Sequence, residues 1–328
     1  RQLHGLSDEE KTGAVIELMI AEAMKTSEIE GEYLSRHDVA SSIRNQMGIQ
    51  VPADTIKDIR SRGAAELMVE VRGSWVQPLS EELLFHWHKL LMQGSSISGV
   101  GRWRINPDPM QVVSGSAVNP NVHFEAPPSD QVPEEMNTFI NWFNESRESV
   151  RQGPVRSALV HLYFESIHPF DDGNGRIGRA LAEKALSQQL GRPVMLSLSK
   201  TIEANKNDYY TALQAAQCSN EVTEWIQYFV GVIMHAQTEA QEMVEFILRK
   251  AKFFDRYRHA LSERQQKVTR RMLDEGSAGF KGGMTARKYA NLTKVSKATA
   301  TRDLQDLLER GVFVSIGGGR STRYDLNI

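Results

Sequence analysis

The feature that most constrains this chain is a helical pattern that stops and restarts within twelve residues, in the string HPFDDGNGRIGR (residues 168–179). An apolar helical pattern precedes the string, and Pro169 disfavours helical backbone at His168. The Gly173-Asn174-Gly175 turn tolerates positive φ angles, and a second helical pattern starts at about Arg176. The string therefore predicts two helices joined by a short loop that begins at His168.

This loop carries the groups that phosphate chemistry needs. A glycine-rich turn that opens a helix presents free backbone N–H groups and the positive helix end to an anion. Arg176 and Arg179 lie three residues apart on the new helix, so both can face one anion. Asp172 offers a hard oxygen ligand beside that anion, where Mg²⁺ is expected, and His168 offers a base. The string therefore predicts a site that works by positioning and charge stabilisation.

The string resembles the signature of the Fic family, HPFx[D/E]GNGRxxR, at every fixed position. The resemblance implies a helical Fic core and a protein adenylyltransferase that moves AMP from Mg·ATP to a Ser, Thr or Tyr hydroxyl. It implies that His168 is the general base and that Asp172 binds Mg²⁺, the expected cofactor. It also implies a nucleotide-binding stretch made of Gly173, Asn174 and Gly175 at the α-phosphate, Arg176 at the β-phosphate, Arg179 at the γ-phosphate, and Ile177 and Gly178 between them. The kinase-like Doc branch departs from this signature, which favours AMP transfer over phosphoryl transfer.

A second motif lies upstream, in the string TSEIEG at residues 26–31. It fits the inhibitory pattern [S/T]xxxE[G/N] of the Fic subclass with an N-terminal inhibitory helix, through Thr26, Glu30 and Gly31. By resemblance, Glu30 pairs with Arg179 and takes that arginine from the γ-phosphate. The alternative is that Glu30 positions a water that removes AMP from modified protein, and the sequence does not separate the two.

The wider chain resembles bacterial Fic proteins that have an N-terminal helical region and a C-terminal winged helix. The β-like runs MQVVSG and NVHFEA predict a hairpin between helices. In that family the hairpin is a flap that aligns the target peptide by β-augmentation, and Asn207 and Tyr210 are then expected near the nucleotide base. We predict a mainly α fold with three regions: an N-terminal helical region with the inhibitory helix (1–78), a Fic catalytic core (79–255) and a winged helix-turn-helix (256–328).

The C-terminal region has the element order of a winged helix-turn-helix. Ser296 is the expected cap of its third helix, and Arg320 and Arg323 are expected near the wing. The pattern predicts two strands around Gly317-Gly318-Gly319, preceded by helices at Glu263–Glu275, Thr285–Asn291 and Lys297–Arg310.

Charge is unevenly distributed along the chain. The residues from Leu261 onward include thirteen lysines and arginines against seven acidic residues, whereas the whole chain has a net charge of −2. This basic end favours a second hypothesis, a nucleotide-sensing regulator that binds DNA through residues 256–328. The alternative is a module that only packs against the core or a partner.

Other chemistry-bearing residues have simpler interpretations. The spacing of His161, Glu165 and His168 suits a metal on one helix face, but the chain break and the lack of a matching Cys or His set argue against it. We predict that His161 is packed inside. His86 and His88 point to different sides of their helix, so one is expected in the core and the other at the surface.

The expected cellular setting follows from composition. One cysteine, Cys218, cannot form an internal disulfide, which favours a reducing compartment. It lacks an activating neighbour, so it is not predicted to be a nucleophile. No apolar run approaches the roughly 20 residues that span a bilayer. We therefore expect a cytoplasmic protein with no membrane contact, whose partners are ATP, an unknown protein target and itself through self-modification, and a homodimer is compatible with these features.

Overall fold

The computed structural model describes residues 8–49, 53–116, 119–257, 259–275, 279–318 and 322–328, with the backbone alone described at 112–116 and 119–123. Within these residues the chain forms thirteen helices and four strands, which confirms the predicted, mainly α fold class. The chain divides into a larger compact unit, Val15–Ala240, and a smaller one made mainly of Gln241–Ile328. No helix in the described part of the chain is long and apolar enough to cross a membrane.

Ten helices and one hairpin precede residue 258. In chain order the helices are α1 (Asp8–Ile29), α2 (Arg36–Gln46), α3 (Ile59–Gly73), α4 (Glu81–Leu91), α5 (Val132–Ser149), α6 (Gly153–Ile167), α7 (Asn174–Leu190), α8 (Leu198–Ala204), α9 (Lys206–Gln217) and α10 (Thr223–Tyr257). The hairpin pairs β1 (Gln111–Ser116) with β2 (Asn119–Glu125) in antiparallel fashion, at the place predicted for the flap. Ser80 caps α4, because its side chain accepts a hydrogen bond from the Leu83 N–H.

The core of the larger unit surrounds the packed pair α6 and α7. Aromatic side chains from several helices fill it, and Phe170 of the loop between α6 and α7 is fully buried among them. The Phe170 ring stacks on His88, with 4.0 Å between ring centroids, and lies 5.1 Å from the Trp103 ring centroid. The loop is therefore anchored to the core through its own phenylalanine.

Helix α1 is fixed to the larger unit near its C-terminal end. The buried Glu22 carboxylate accepts hydrogen bonds from the Ser197 hydroxyl (2.7 Å) and the Ser199 N–H (2.9 Å). The helix ends at Ile29, and Gly31 adopts φ 82°, as expected of a glycine just past a helix end. These contacts fix the position of the TSEIEG segment (residues 26–31) within the larger unit.

After the end of α10, the smaller unit has the predicted order of three helices and two strands. Ser296 caps the third helix through the Thr299 N–H, and a bridge joins Met284 to Tyr324. Its elements are α11 (Glu263–Leu273), α12 (Ala286–Thr293), α13 (Lys297–Glu309) and the antiparallel strands β3 (Phe313–Ile316) and β4 (Arg323–Leu326). Arg323 is exposed at the start of β4, whereas the predicted wing residues Gly319 and Arg320 lie outside the described residues.

Candidate active site

The loop between α6 and α7 holds a strained backbone. His168 ends α6 with φ 50° and ψ 59°, a left-handed conformation that is uncommon outside glycine. Gly173 precedes α7 with φ 87°. Helix α7 begins at Asn174, two residues earlier than the sequence pattern predicts, because the left-handed Gly173 already starts the turn. The N-terminal N–H groups of α7 therefore belong to the glycine-rich turn itself.

Asn174 fixes the shape of this loop. Its side-chain Oδ1 accepts from the Phe170 N–H (2.9 Å), and its Nδ2 donates to the Phe170 carbonyl (2.8 Å). The amide group is thus committed to the loop backbone. What Asn174 offers to an anion is its backbone N–H at the helix start.

A cavity of about 750 Å³ opens over the loop. Its lining brings together most of the predicted site residues, together with Gln111 of the hairpin and several residues of α9. The lining residues are Glu30, Gln111, Glu165, His168, Asp171, Asp172, Gly173, Asn174, Gly175, Asn207, Tyr209, Tyr210, Thr211, Leu213, Gln214 and Gln217. Six predicted site residues do not line it: Thr26, Gly31, Arg176, Ile177, Gly178 and Arg179. Ile177 is fully buried in the core, and Gly178 packs so closely that a Cβ atom there would lie 2.5 Å from Glu165 Oε1.

Arg179 is buried and paired with the TSEIEG segment. Its Nη2 donates to Glu30 Oε1 (2.8 Å) and to the Thr26 carbonyl (2.9 Å), and its Nε donates to Thr26 Oγ1 (2.8 Å). Burial disfavours the charged guanidinium, but the Glu30 carboxylate raises the pKa of Arg179 above its ordinary value. A Cβ on Gly175 would overlap Glu30 Oε1, so a larger residue there would displace the Glu30 carboxylate.

Arg176 is also buried and paired. Its Nη1 donates to Glu32 Oε2 (2.6 Å), and its Nη2 donates to Asp172 Oδ1 (3.2 Å). Sequence reasoning missed Glu32. The available signal was its position one residue past Gly31, where the chain turns back toward α7.

Asp172 lines the cavity beside the glycine-rich turn. Its side chain is 49% exposed, and Oδ1 accepts from the Gly173 N–H (2.6 Å). Mg²⁺ prefers one or two carboxylates together with phosphate oxygens and waters, so a single accessible carboxylate beside the turn expected to bind phosphate fits this ion. No group of three or more His, Cys, Asp or Glu side chains in the described residues is arranged to hold a metal.

His168 is a neutral imidazole near pH 7. Burial, together with the nearby Arg104, lowers the pKa of His168 to about 4. Its Nδ1 lies 3.7 Å from Glu165 Oε2 and has no hydrogen-bond partner in the described part of the chain. A neutral ring at the cavity wall can accept a proton, which is the chemical requirement for a base.

The other histidines have structural roles. His161 is buried, and its Nε2 lies 2.9 Å from the Tyr209 hydroxyl, which confirms that it is packed inside. His86 is exposed and His88 is buried, as predicted. His88 Nδ1 accepts from the Gly101 N–H (2.8 Å), and its Nε2 lies 3.1 Å from the Asp172 carbonyl. His88 thus helps to hold the loop.

Helix α9 joins the cavity to the end of α1. Lys206 Nζ donates to the Ile29 carbonyl, and the Tyr210 hydroxyl lies 3.5 Å from the same oxygen. Asn207 and Tyr210, expected near the nucleotide base, both line the cavity. The surface expected to receive the base therefore contacts the segment that carries Glu30.

Comparison with known families gives three matches. Residues 78–186 match the Fic/DOC family, residues 2–49 match a domain of unknown function designated DUF4172, and residues 281–327 match the C-terminal domain of the transcriptional regulator DIP2311-like family. The Fic/DOC match contains the complete HPFDDGNGRIGR string.

Curated relatives resemble only part of the chain. A probable protein adenylyltransferase from Aquifex aeolicus is 36% identical over 94 residues, covering 29% of this chain and 27% of that protein. The protein adenylyltransferase Fic of Aedes aegypti is 35% identical over 82 residues, covering 25% of this chain and 15% of that protein. The chain thus spans about a quarter or less of the length of these relatives.

Solved structures with the same fold cover more of the chain. A Fic family protein from Desulfovibrio desulfuricans matches with a TM-score of 0.54 at 22% identity, over 94% of this chain and 86% of that one. A Fic domain-containing signalling protein from Bacteroides thetaiotaomicron matches with a TM-score of 0.57 at 16% identity, over 76% of this chain and 94% of that one. At these identities the likeness concerns the fold.

Proposed function

We propose that this chain, which carries a Fic/DOC family domain at residues 78–186, is a cytoplasmic protein adenylyltransferase. It would transfer AMP from Mg·ATP to a Ser, Thr or Tyr hydroxyl of a target protein, itself included, with release of pyrophosphate. The observation that carries the proposal is one cavity of about 750 Å³ whose wall combines neutral His168, accessible Asp172 and the glycine-rich start of α7.

The chain's own groups divide the work of this reaction. His168 accepts the proton of the target hydroxyl while the hydroxyl oxygen bonds to the α-phosphorus and the bond to pyrophosphate breaks. The N–H groups of Asn174 and Gly175 hold the α-phosphate at the helix start, joined by that of Gly173 once Asp172 releases it. Asp172 would hold Mg²⁺, which supplies charge neutralisation for the leaving pyrophosphate. Arg176 and Arg179 bind the β- and γ-phosphates once they are free.

The same site would be inhibited by Glu30. In the resting chain Arg179 donates to Glu30 across 2.8 Å, so its guanidinium is not free for a γ-phosphate. Without a contact between Arg179 and the γ-phosphate, ATP would bind with its α-phosphate misaligned for attack, so removal of Glu30 should change turnover far more than ATP affinity. Loss of AMP from pre-modified protein, measured in parent and Glu30→Ala, tests the alternative that Glu30 serves the reverse reaction.

Labelled ATP tests the activity. In a Glu30→Ala background, α-labelled ATP should label protein and γ-labelled ATP should not. His168→Ala should lower labelling by about 10²–10⁴-fold, the usual contribution of a positioned base. The matched control is His86→Ala, which removes an exposed histidine away from the cavity. Transfer of the γ-label alone would refute AMP transfer and favour a kinase-like reaction.

The smaller unit supports a second candidate function, DNA binding. Four exposed cations near the turn of α12 and α13 and on β4 have no ion pair within the described residues: Lys294, Lys297, Arg302 and Arg323. The cations of this unit that are paired with acids, such as Arg264 with Asp303 and Arg310 with Asp306, lie elsewhere on α11 and α13. Unpaired cations beside the second helix of a helix-turn-helix suit phosphate contacts.

Salt dependence tests this second function. The logarithm of the binding constant of the full chain for a random DNA duplex should fall linearly with the logarithm of the salt concentration. Lys297→Ala with Arg302→Ala should reduce the slope by about one for each phosphate contact removed. The control is Arg271→Ala, whose arginine is paired with Glu275. A salt slope near zero in the parent would refute DNA binding without bearing on AMP transfer.

A further inference from the structure

The backbone at His168 needs an explanation from its surroundings. His168 and Lys294 are the two non-glycine residues with positive φ in the described chain, and Lys294 merely ends a helix. A strained conformation of this kind costs on the order of 1–3 kcal/mol and persists only where neighbouring structure imposes it. The residue that faces the strained carbonyl is Arg104.

Arg104 binds every carbonyl of the turn at His168. Its Nε donates to the His168 carbonyl (2.8 Å), its Nη2 reaches the Ile167 carbonyl (3.4 Å), and its backbone N–H donates to the Pro169 carbonyl (2.9 Å). The same Nη2 donates to the carbonyl of Pro127, two residues past β2 (2.5 Å). One side chain thus ties the loop of the candidate base to the end of the hairpin.

This arrangement depends on the shape of a guanidinium. Arg104 is 2% exposed and makes no ion pair within 4 Å in the described residues, so carbonyl dipoles, together with the more distant Asp171 carboxylate, compensate its charge. Burial lowers the pKa of Arg104 from its ordinary value. A lysine ammonium is a single point, whereas the planar fork reaches carbonyls in several directions at once.

We propose that Arg104 is the positioning residue that fixes His168 relative to the hairpin. The inference rests on the proposed transferase function, in which the hairpin presents the target and His168 takes its proton. Arg104 touches no reacting atom. Its loss would let the His168 backbone relax out of the left-handed region, and the imidazole would move away from the hydroxyl. A displacement of about 1 Å at a reacting group can lower a rate 10²-fold.

The test compares two buried arginines. Arg156 is fully buried and likewise donates to carbonyls, those of Phe143 (2.7 Å) and Ala185 (3.1 Å), but it does not contact the loop. In a Glu30→Ala background, Arg104→Lys should lower self-modification from α-labelled ATP by 10- to 100-fold and leave the Kd for ADP within twofold. Arg156→Lys should lower Tm without lowering the rate more than threefold.

Hydrogen exchange supplies a readout that does not need activity. The Phe170 amide donates to Asn174 inside the loop, and its exchange should accelerate at least tenfold in Arg104→Lys but not in Arg156→Lys. If Arg104→Lys does not fold, the same measurements are made on Arg104→Gln, whose side-chain amide keeps one donor group. An unchanged rate with unchanged exchange, or equal rate losses in both lysine variants, would overturn the role of Arg104. A parent without AMP transfer would refute the proposed function, and the exchange result would still decide the positioning role.

The pairing of Arg176 carries a second, independent inference. Arg176 is buried, Glu32 Oε2 lies 2.6 Å from its Nη1, and the Glu32 side chain is 31% exposed. Glu32 therefore sits between solvent and the arginine expected at the β-phosphate. We infer that Glu32 competes with the β-phosphate, so the resting site excludes nucleoside diphosphates as well as misaligning triphosphates. Glu30 and Glu32 would then act on different arginines and different phosphates.

Binding of ADP distinguishes the effect of Glu32 from that of Glu30, because ADP has a β-phosphate but no γ-phosphate. By calorimetric titration, Glu32→Gln should tighten the Kd for ADP about tenfold, the size of one charge-assisted contact. Glu30→Ala should leave the Kd for ADP within twofold. Glu28→Gln is the control, since Glu28 is paired with Lys25 on the same segment.

Two outcomes would overturn the role of Glu32. One is an unchanged ADP affinity in Glu32→Gln, and the other is an equal gain in Glu30→Ala. Failure of every variant to bind either ADP or ATP would instead refute the nucleotide site itself.

Discussion

Replacing Glu30 by alanine should raise the rate of self-modification about 10²-fold. In the resting chain Arg179 Nη2 donates to Glu30 at 2.8 Å, and Nη1 has no partner in the described residues. A hydrogen bond to a charged group contributes roughly 1.5–3 kcal/mol, so one donor released to the γ-phosphate accounts for about 10- to 10²-fold in rate. Alignment of the second donor supports the upper end of this range.

The assay is incorporation of α-labelled AMP into the full chain, with ATP affinity measured in parallel by calorimetric titration. Glu28→Ala is a matched control, because the Glu28 and Glu30 side chains are each 29% exposed and each forms one ion pair on the same segment. Glu28 binds Lys25 and not the loop, so its variant should label at the parent rate. A gain below threefold in Glu30→Ala, or a gain wholly explained by tighter ATP binding, would refute the misalignment mechanism.

Two further predictions concern pH. Because burial lowers the pKa of His168 to about 4, the ring is neutral above that value. The rate of AMP transfer by Glu30→Ala should therefore be level between pH 7 and 5 and fall toward pH 4. A pH profile of this rate with its midpoint near the ordinary histidine pKa of about 6.5 would contradict this. Burial raises the pKa of Glu165 to about 8. The folded chain therefore keeps a proton on Glu165 that the unfolded chain loses above about pH 4.3. The stability that this protonated group contributes is lost as pH rises through 8. Glu165→Gln should remove that part of the decline of Tm between pH 5 and 8, and an unchanged decline would contradict it.

Local features of this fold could be predicted from the sequence because they are encoded within a few residues. Pro169 and Gly173 act on their own backbone and that of their immediate neighbours, so the break between α6 and α7 follows from steric rules alone. Ser296 binds the N–H group of Thr299, three residues away, which is why its role as a cap could be predicted. The domain boundaries and the roles of the site residues stay predictions.

Long-range partners could not be predicted in the same way. Arg104 binds the His168 carbonyl across 64 residues, and Arg176 binds Glu32 across 144. Helical periodicity says which face of a helix is buried but not which side chain lies opposite. The pairing of Glu30 with Arg179 came from the resemblance to a family pattern, whereas Glu32 and Arg104 belong to no pattern that was recognised.

The last prediction links inhibition to stability. Arg176 and Arg179 are buried cations at the proposed phosphate site, and a buried charge without a partner destabilises a fold. The carboxylates of Glu30 and Glu32 therefore stabilise the nucleotide-free chain by taking the place of phosphate. Glu30→Ala should lower the Tm of the nucleotide-free protein by about 2–4 °C, as expected for a loss of roughly 1 kcal/mol in a unit of this size. Saturating Mg·ATP should then raise the Tm of Glu30→Ala by more than it raises that of the parent, because the γ-phosphate restores the missing partner of Arg179. Glu28→Ala should show the parent's ATP-induced shift, since Lys25 lies outside the phosphate site. If Glu30→Ala has the parent's Tm without nucleotide and the parent's shift with it, the carboxylate does not substitute for phosphate, and inhibition must arise from exclusion at another point of the cavity.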